Sequence, residues 1–547
     1  MTPSAHIDTF ARDHLPPADQ WPCLLFELPE LQFGERLNAA SALLDRWIEQ
    51  GQGERTCLLG SNADGTPIHW TYAELQQRAN RIANVLVQEQ GLVPGNRVLL
   101  RGANSPMLAA CWFGVVKAGG IAVGSMPLLR AIELTQIVDK AEITHALCDA
   151  RLADELALAR AQCPTLAQVL HFNGNPAEGL EARMAAQAET FANVDTAADD
   201  TCVIAFTSGT TGQPKGTMHF HRDLLAACAC WPPHVLRAQA GDVFIGSPPL
   251  AFTFGLGGLL LFPLAVGAAA VLLEKATPDA LLAAIARYGA TVCVTSPTAY
   301  RAMALQMGAQ GAPHDLSSLR KCVSAGEALP GPTRTLWREA TGIEIIDGIG
   351  STEMFHIFIS ATEGQARAGA TGLPVPGYRA CVLDDEGQAL PPGQVGRLAV
   401  QGPTGCKYLA DERQKSYVQN GWNLTGDAYL IDPADGQFVY QARTDDMIVS
   451  GGYNIAGPEV EAALLLHPAV AECGVVGAAD AERGQIVKAF VVLKPGHDGD
   501  AAMRLALQEF VKQTIAPYKY PRAIEFRDAL PRTETGKLQR FRLRQGT

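Results

Sequence analysis

The sequence predicts an α/β protein whose helices cover parallel sheets, with a small α+β unit at its C-terminal end. Three observations support this. From residue 71 apolar strands and amphipathic helices alternate, several strands end in loops rich in glycine, serine and acids, and the pattern changes after Arg443.

The elements follow in order. "TYAELQQRANRIANVLVQEQ" (71–90) puts Leu75, Ala79, Ile82 and Leu86 on one helical face, with Thr71 as N-cap and Glu74 completing a capping box. "NRVLLRG" reads as a strand, "SPMLAACWFGVVKAG" as a helix and "GIAVGS" as the next strand. "RAIELTQIVDKA" and "THALCDA" repeat the rhythm, and "ATVCVTS" and "GIEIIDG" are later strands. In such sheets ligands collect at the carboxyl ends of strands. The segment 255–273 carries no charge over nineteen residues, about the minimum for a membrane span, but four glycines and Pro263 interrupt it. A buried helix ending near Pro263 and a core strand in "AAAVLL" account for the same letters. Past the polar stretch "ARTDDMIVSGG" (442–452), "EVEAALLLHPAV" and "RLALQEFVKQTI" read as helices, and "ECGVVGA" and "IVKAFVVLKPG" as strands. The expected domains are therefore 1–442 and 443–547.

Composition narrows the function classes. With 547 residues, 47% hydrophobic and 18% charged, the chain is of ordinary globular composition and long enough for several domains. A net charge of −12 argues against a general nucleic-acid binder. Thirteen cysteines occur with no C-x-x-C, so neither a zinc site nor a disulfide framework is expected, and a reducing cytoplasm is the simplest compartment. The start shows no basic n-region followed by an apolar h-region, so no secretory signal is expected. His219 and His221 could share a strand face, but no further metal ligands are evident nearby.

The stretch "FTSGTTGQPKGTMHFH" (206–221) carries the chemistry. Glycines let backbone N–H groups point together into a concavity that suits an anion, and Lys215 adds a mobile charge. The strand "VIAF" (203–206) precedes the loop, and a polyphosphate is the natural guest. A flexible surface turn would have the same composition. Gly216 follows Lys215, so this is not a Walker A loop, which needs Ser or Thr there.

With "SAGEALP" (324–330), "DGIGSTE" (347–353), "TGD" (425–427), "RTDDMIVSGGYNIAGPEVE" (443–461) and "PRTETGK" (531–537), the chain resembles the adenylate-forming superfamily of acyl- and aryl-CoA ligases, luciferases and peptide-synthetase adenylation domains. The resemblance implies a large N-terminal domain of stacked α/β subdomains plus a small, mobile α+β C-terminal domain. The reaction implied joins a carboxylate to ATP, releases pyrophosphate and hands the acyl group to a thiol. Thr207, Ser208, Gly209, Thr210, Thr211, Gly212 and Lys215 would cradle the phosphates. Gly326, Glu327, Asp347, Gly348, Ile349, Gly350 and Ser351 would complete the ATP/AMP site, with Thr352 on the α-phosphate and Glu353 on magnesium, a hard cation that takes oxygen ligands. Asp427, with Arg443 beside it, would accept the ribose hydroxyls. Lys537 would bridge carboxylate and α-phosphate as a compact point charge. Asp445 would be the hinge, and Ser450, Gly451, Gly452 and Tyr453 would line the coenzyme A path. Ile349 departs from the family, where an aromatic residue often stacks on adenine; aliphatic surface would take its place.

"GIGSTEMFHIF" and "FGLG" resemble the benzoate-CoA and 2-aminobenzoate-CoA ligase branch in particular. The acyl pocket expected comprises Phe252, Thr253, Phe254, Gly255, Ala325 and His356, the last on a helix "MFHIFIS" after Glu353, at the pocket edge or satisfied inside the helix. The phenylalanines offer flat apolar walls, or plain core packing. Cofactors implied are ATP, Mg and coenzyme A. The partner implied is a small aromatic carboxylate, with no nucleic acid and no membrane; a homodimer is left open. Ten residues follow Lys537, so a fused carrier domain is not expected, although a separate carrier is an alternative acceptor.

Overall fold

A computed structural model describes residues 3–61, 65–175, 177–207, 214–310, 314–444, 446–450, 453–480, 483–515, 517–532 and 538–545. Among them lie four sheets. The first has six strands in the order Gln168–Phe172, His145–Asp149, Arg97–Arg101, Ile121–Ser125, Thr201–Thr207 and Lys215–Phe220. All neighbours are parallel except the last pair, whose register sets Thr207 opposite Lys215. The second has nine strands, parallel from Ile345–Gly350 through Lys321–Ser324, Val292–Thr295, Val243–Gly246 and Ala269–Val271 to Thr56–Ser61. Antiparallel strands close both of its edges. A five-stranded antiparallel sheet follows, in which Trp422–Ile431 pairs with Phe438–Arg443. The last sheet runs from Ile448–Ser450 to Ala523–Phe526, with helices Gly457–Leu465 and Ala501–Thr514. The large N-terminal and small C-terminal α/β organisation expected from the sequence is thus present.

Local chemistry explains the elements. The Thr71–Glu74 capping box forms with both bonds, and Leu75, Ala79, Ile82 and Leu86 are buried on one face of the helix Tyr72–Asn84 and its continuation. No helix among the described residues is long and apolar enough to cross a membrane. The uncharged segment instead forms a π turn (Gly257–Leu261), a short helix Phe262–Ala265 and the strand Ala269–Val271. The helix thus ends at Ala265, near Pro263 as expected, and the proline is tolerated because a residue without an N–H suits the point where a π turn gives way to a new α turn.

Two expectations fail. "MFHIFIS" is not a helix: Phe355 turns the chain at φ +71, and Ile357–Ser360 pairs antiparallel with Ile345–Gly350. The alternating isoleucines of that stretch suit a pleated surface better than a helix. His219 and His221 do not share a strand, since His221 opens the helix His221–Trp231. Among the described residues no group of three His, Cys, Asp or Glu could hold a metal.

Candidate active site

The antiparallel pair Thr201–Thr207 and Lys215–Phe220 places Thr207 and Lys215 at the two ends of the predicted phosphate loop. Ser208, Gly209, Thr210, Thr211 and Gly212 lie outside the described residues, while the Thr207 hydroxyl is buried and has no partner among the described residues. Lys215 Nζ donates to the Tyr408 hydroxyl at 3.0 Å and stands 3.6 Å from Glu353 Oε1. The Tyr408 hydroxyl in turn donates to Glu353 Oε1. These described contacts of the carboxylate fall on Oε1, which leaves Oε2 for a hard cation; the donor chemistry fits magnesium.

Beside Glu353, the Thr352 carbonyl accepts a 2.8 Å bond from His219 Nε2. A carbonyl only accepts, so this nitrogen carries the ring proton. Burial lowers the His219 pKa to about 4, so the imidazole is neutral. Beneath it lies a fully buried ion pair, Lys407 Nζ to Asp223 Oδ2 at 3.0 Å. Ser351 accepts from Met354 N–H and faces the Tyr417 hydroxyl at 3.3 Å. Burial, then the charges of Glu353 and Asp427 among others, raise the Tyr417 pKa, so this phenol stays protonated between the two carboxylates.

Asp347, Gly348, Ile349 and Gly350 lie on one strand. The Gly350 backbone runs so close to the 356–357 backbone that a Cβ would meet His356 O at 2.6 Å. Burial raises the Asp347 pKa to about 7 against the pull of Arg334, and its Oδ1 has no partner. Gly326 turns at φ +89, beside Glu327, which accepts from Thr298 Oγ1 at 2.7 Å. Asp427 and Arg443 are register partners joined at 3.3 Å. Lys537, Asp445, Gly451 and Gly452 lie outside the described residues, and for Tyr453 only the backbone is described, in the strand Tyr453–Ile455. Ser450 is buried with its hydroxyl unpartnered. The flanks of the Lys537 segment are described: Arg532 bridges to Leu538 and reaches Thr298 (3.5 Å), Glu327 (3.8 Å) and Glu472 (2.8 Å).

Two of the expected acyl residues line one cavity. Phe252 and Thr253 line an apolar cavity with Leu100, Trp112, Leu250 and Leu256, whose described lining includes none of Phe254, Gly255, Ala325 and His356. Thr253 opens a short helix and is buried. Phe254 and His356 pack together at 5.4 Å between ring centroids, and Phe262 meets His356 at 4.4 Å. His356 Nε2 lies 3.3 Å from Phe254 O, Nδ1 has no partner, and burial lowers the pKa to about 3. Gly255 and Ala325 are both buried.

Lys215, the buried carboxylate of Glu353 and the Asp427–Arg443 pair are the charged groups that the fold supplies to this region. Residues 44–408 match the family model of the AMP-binding enzyme, and 459–537 that of the AMP-binding enzyme C-terminal domain. The chain belongs to the AMP-binding enzyme family. Among this family's members, the benzoate-CoA ligase of Thauera aromatica is 37% identical over 521 residues, spanning 94% of this chain and 97% of that protein. The crystal structure of the anthranilate CoA ligase AuaEII in complex with anthranoyl-AMP superposes with a TM-score of 0.89 at 35% identity, covering 95% and 99% of the two chains. A benzoate CoA ligase from Burkholderia xenovorans gives 0.83 at 33% identity, covering 93% and 99%. Tyr408, His219, Tyr417 and Arg532 were not anticipated from the sequence. Their links to Glu353, Thr352, Ser351 and Glu327 depend on pairings between segments far apart in the chain, which no local motif displays.

Proposed function

We propose that this AMP-binding enzyme activates an aromatic carboxylate with ATP and transfers the acyl group to coenzyme A. The carboxylate oxygen would attack the α-phosphorus and pyrophosphate would leave. The coenzyme A thiol would then attack the acyl carbonyl, and AMP would leave. The observation that carries this reading is the placement of Lys215, Glu353 and Thr352 in one cluster, next to an aromatic wall of Phe254, Phe262 and His356. The relatives named above act, by their names, on benzoate and anthranilate.

In this reading Thr207, Lys215 and the intervening loop hold the β- and γ-phosphates, Thr352 holds the α-phosphate, and Glu353 holds magnesium, which would neutralise charge on the phosphates. The unpartnered Asp347 Oδ1 suits an N–H donor such as the adenine amino group. Asp427 takes the ribose hydroxyls. Lys537 stabilises the developing charge in adenylation, and a hinge at Asp445 then replaces it with the 450–453 segment. Supporting a reducing, cytoplasmic setting, all thirteen cysteines are free thiols. ATP–pyrophosphate exchange across aliphatic, benzoic and aminobenzoic acids tests the substrate class, followed by AMP release with and without coenzyme A. Exchange should be strongest with benzoic and 2-aminobenzoic acids and turnover should need coenzyme A; exchange confined to aliphatic acids would sink the aryl assignment.

A further inference from the structure

One phenol stands between the two opposite charges of the nucleotide site. Lys215 donates to Tyr408, and Tyr408 donates to Glu353, while lysine and carboxylate are already only 3.6 Å apart. The ring has little choice of position. Met218 N–H donates to Lys407 O and Leu409 N–H to Gly216 O, both at 2.8 Å, so residues 407–409 run alongside the strand that starts at Lys215. Lys407 is locked in the opposite direction by Asp223 and by the Gly405 carbonyl, each 3.0 Å away. Gln414 accepts the Tyr408 N–H at 2.9 Å.

The physics of the pair shows what the hydroxyl does. Away from bulk water, a direct Lys–Glu contact is stronger than the same contact at a surface. A lysine closed onto Glu353 would be withdrawn from a phosphate, and a carboxylate neutralised by lysine would be a poorer magnesium ligand. A neutral phenol satisfies both charges while keeping them separable. We infer that Tyr408 is a positioning residue of the nucleotide site, holding Lys215 and Glu353 apart so that a polyphosphate and its magnesium ion can take them. This rests on the reading of 207–217 as the phosphate loop.

Tyr408→Phe keeps the ring and removes the bridge. Titration calorimetry with Mg·ATP and, separately, with AMP reads the effect without turnover. Affinity for Mg·ATP should fall about 3- to 10-fold, the scale of one such hydrogen bond, and the magnesium needed at fixed ATP should rise in step. Affinity for AMP, which lacks the β- and γ-phosphates, should hold. Unchanged Mg·ATP binding overturns the inference, and so does an equal loss for both nucleotides, which would mean ordinary packing damage. In a Lys215→Gln background, where no cation can close on Glu353, adding Tyr408→Phe should change the magnesium requirement no further; an additive change overturns the mechanism. A wild-type chain that binds no Mg·ATP would overturn the reading of the site itself, and this inference with it.

Discussion

The two sides of the candidate site are built from different chemistry, one from charges and carbonyls and the other from rings. Around Glu353 and Thr352, charges and carbonyls are met by protein partners: Tyr408, Lys215 and His219 in the site, with the Lys407–Asp223 pair below. Around His356 the packing is by rings, from Phe254, Phe262 and Trp231, and among the described residues the Nδ1 of His356 has no partner. Buried charge is costly without partners, so the phosphate side must be organised before its ligand arrives. An apolar wall is tolerant, and a few unmatched polar atoms there can select among substrates.

That contrast can be broken from either side, and the largest effect should come from the phosphate side. In the role proposed for Lys537, Lys537→Ala would remove charge-assisted bonds of about 1.5–3 kcal/mol each, so loss of two should slow adenylation about 10²- to 10⁴-fold. Transfer from ready-made acyl-adenylate to coenzyme A should be spared, and equal slowing of that step would refute the assigned role.

Next comes the support under the same wall. Lys407→Met strands Asp223 as an uncompensated buried charge, and should lower unfolding free energy in urea by about 3–5 kcal/mol. Asp223→Asn in the same chain should recover much of the loss. A cost below about 1 kcal/mol would show that the pair is not needed.

On the ring-lined wall the test is acid. The folded His356 pKa is lowered to about 3 by burial, so the unfolded chain binds a proton there first. Its contribution is therefore complete above the ordinary histidine pKa of about 6.5 and is lost as pH falls through 6.5 toward 3. Between pH 6.5 and 5.5, His356→Asn should lose about 1 kcal/mol less stability than the wild type. Parallel acid limbs for the two proteins would mean that the ring is already charged in the fold.

The smallest effect concerns substrate choice. A Thr253 hydroxyl that accepts from an ortho amino group would favour 2-aminobenzoate over benzoate by about two- to thirteen-fold, the worth of one neutral hydrogen bond. Thr253→Val should narrow that ratio of kcat/KM while leaving benzoate turnover largely intact. A ratio that does not move removes Thr253 from specificity and leaves the aryl assignment to the phenylalanines.

Sequence alone determined the periodic and the local. Strand and helix alternation, the Thr71–Glu74 cap and the loop between Thr207 and Lys215 are written in neighbouring residues, because a helix face, a cap or a glycine turn needs only a few adjacent positions. The Asp427–Arg443 pair was legible for the same reason, through two short motifs. Tertiary structure decided the rest. The Ile357–Ser360 segment became a strand because a neighbouring edge was there to pair with it. His219 found Thr352, 133 positions away in sequence, and Tyr408 found Glu353, 55 away, because sheet pairing and a buried ion pair fix backbones whose contact no local pattern encodes.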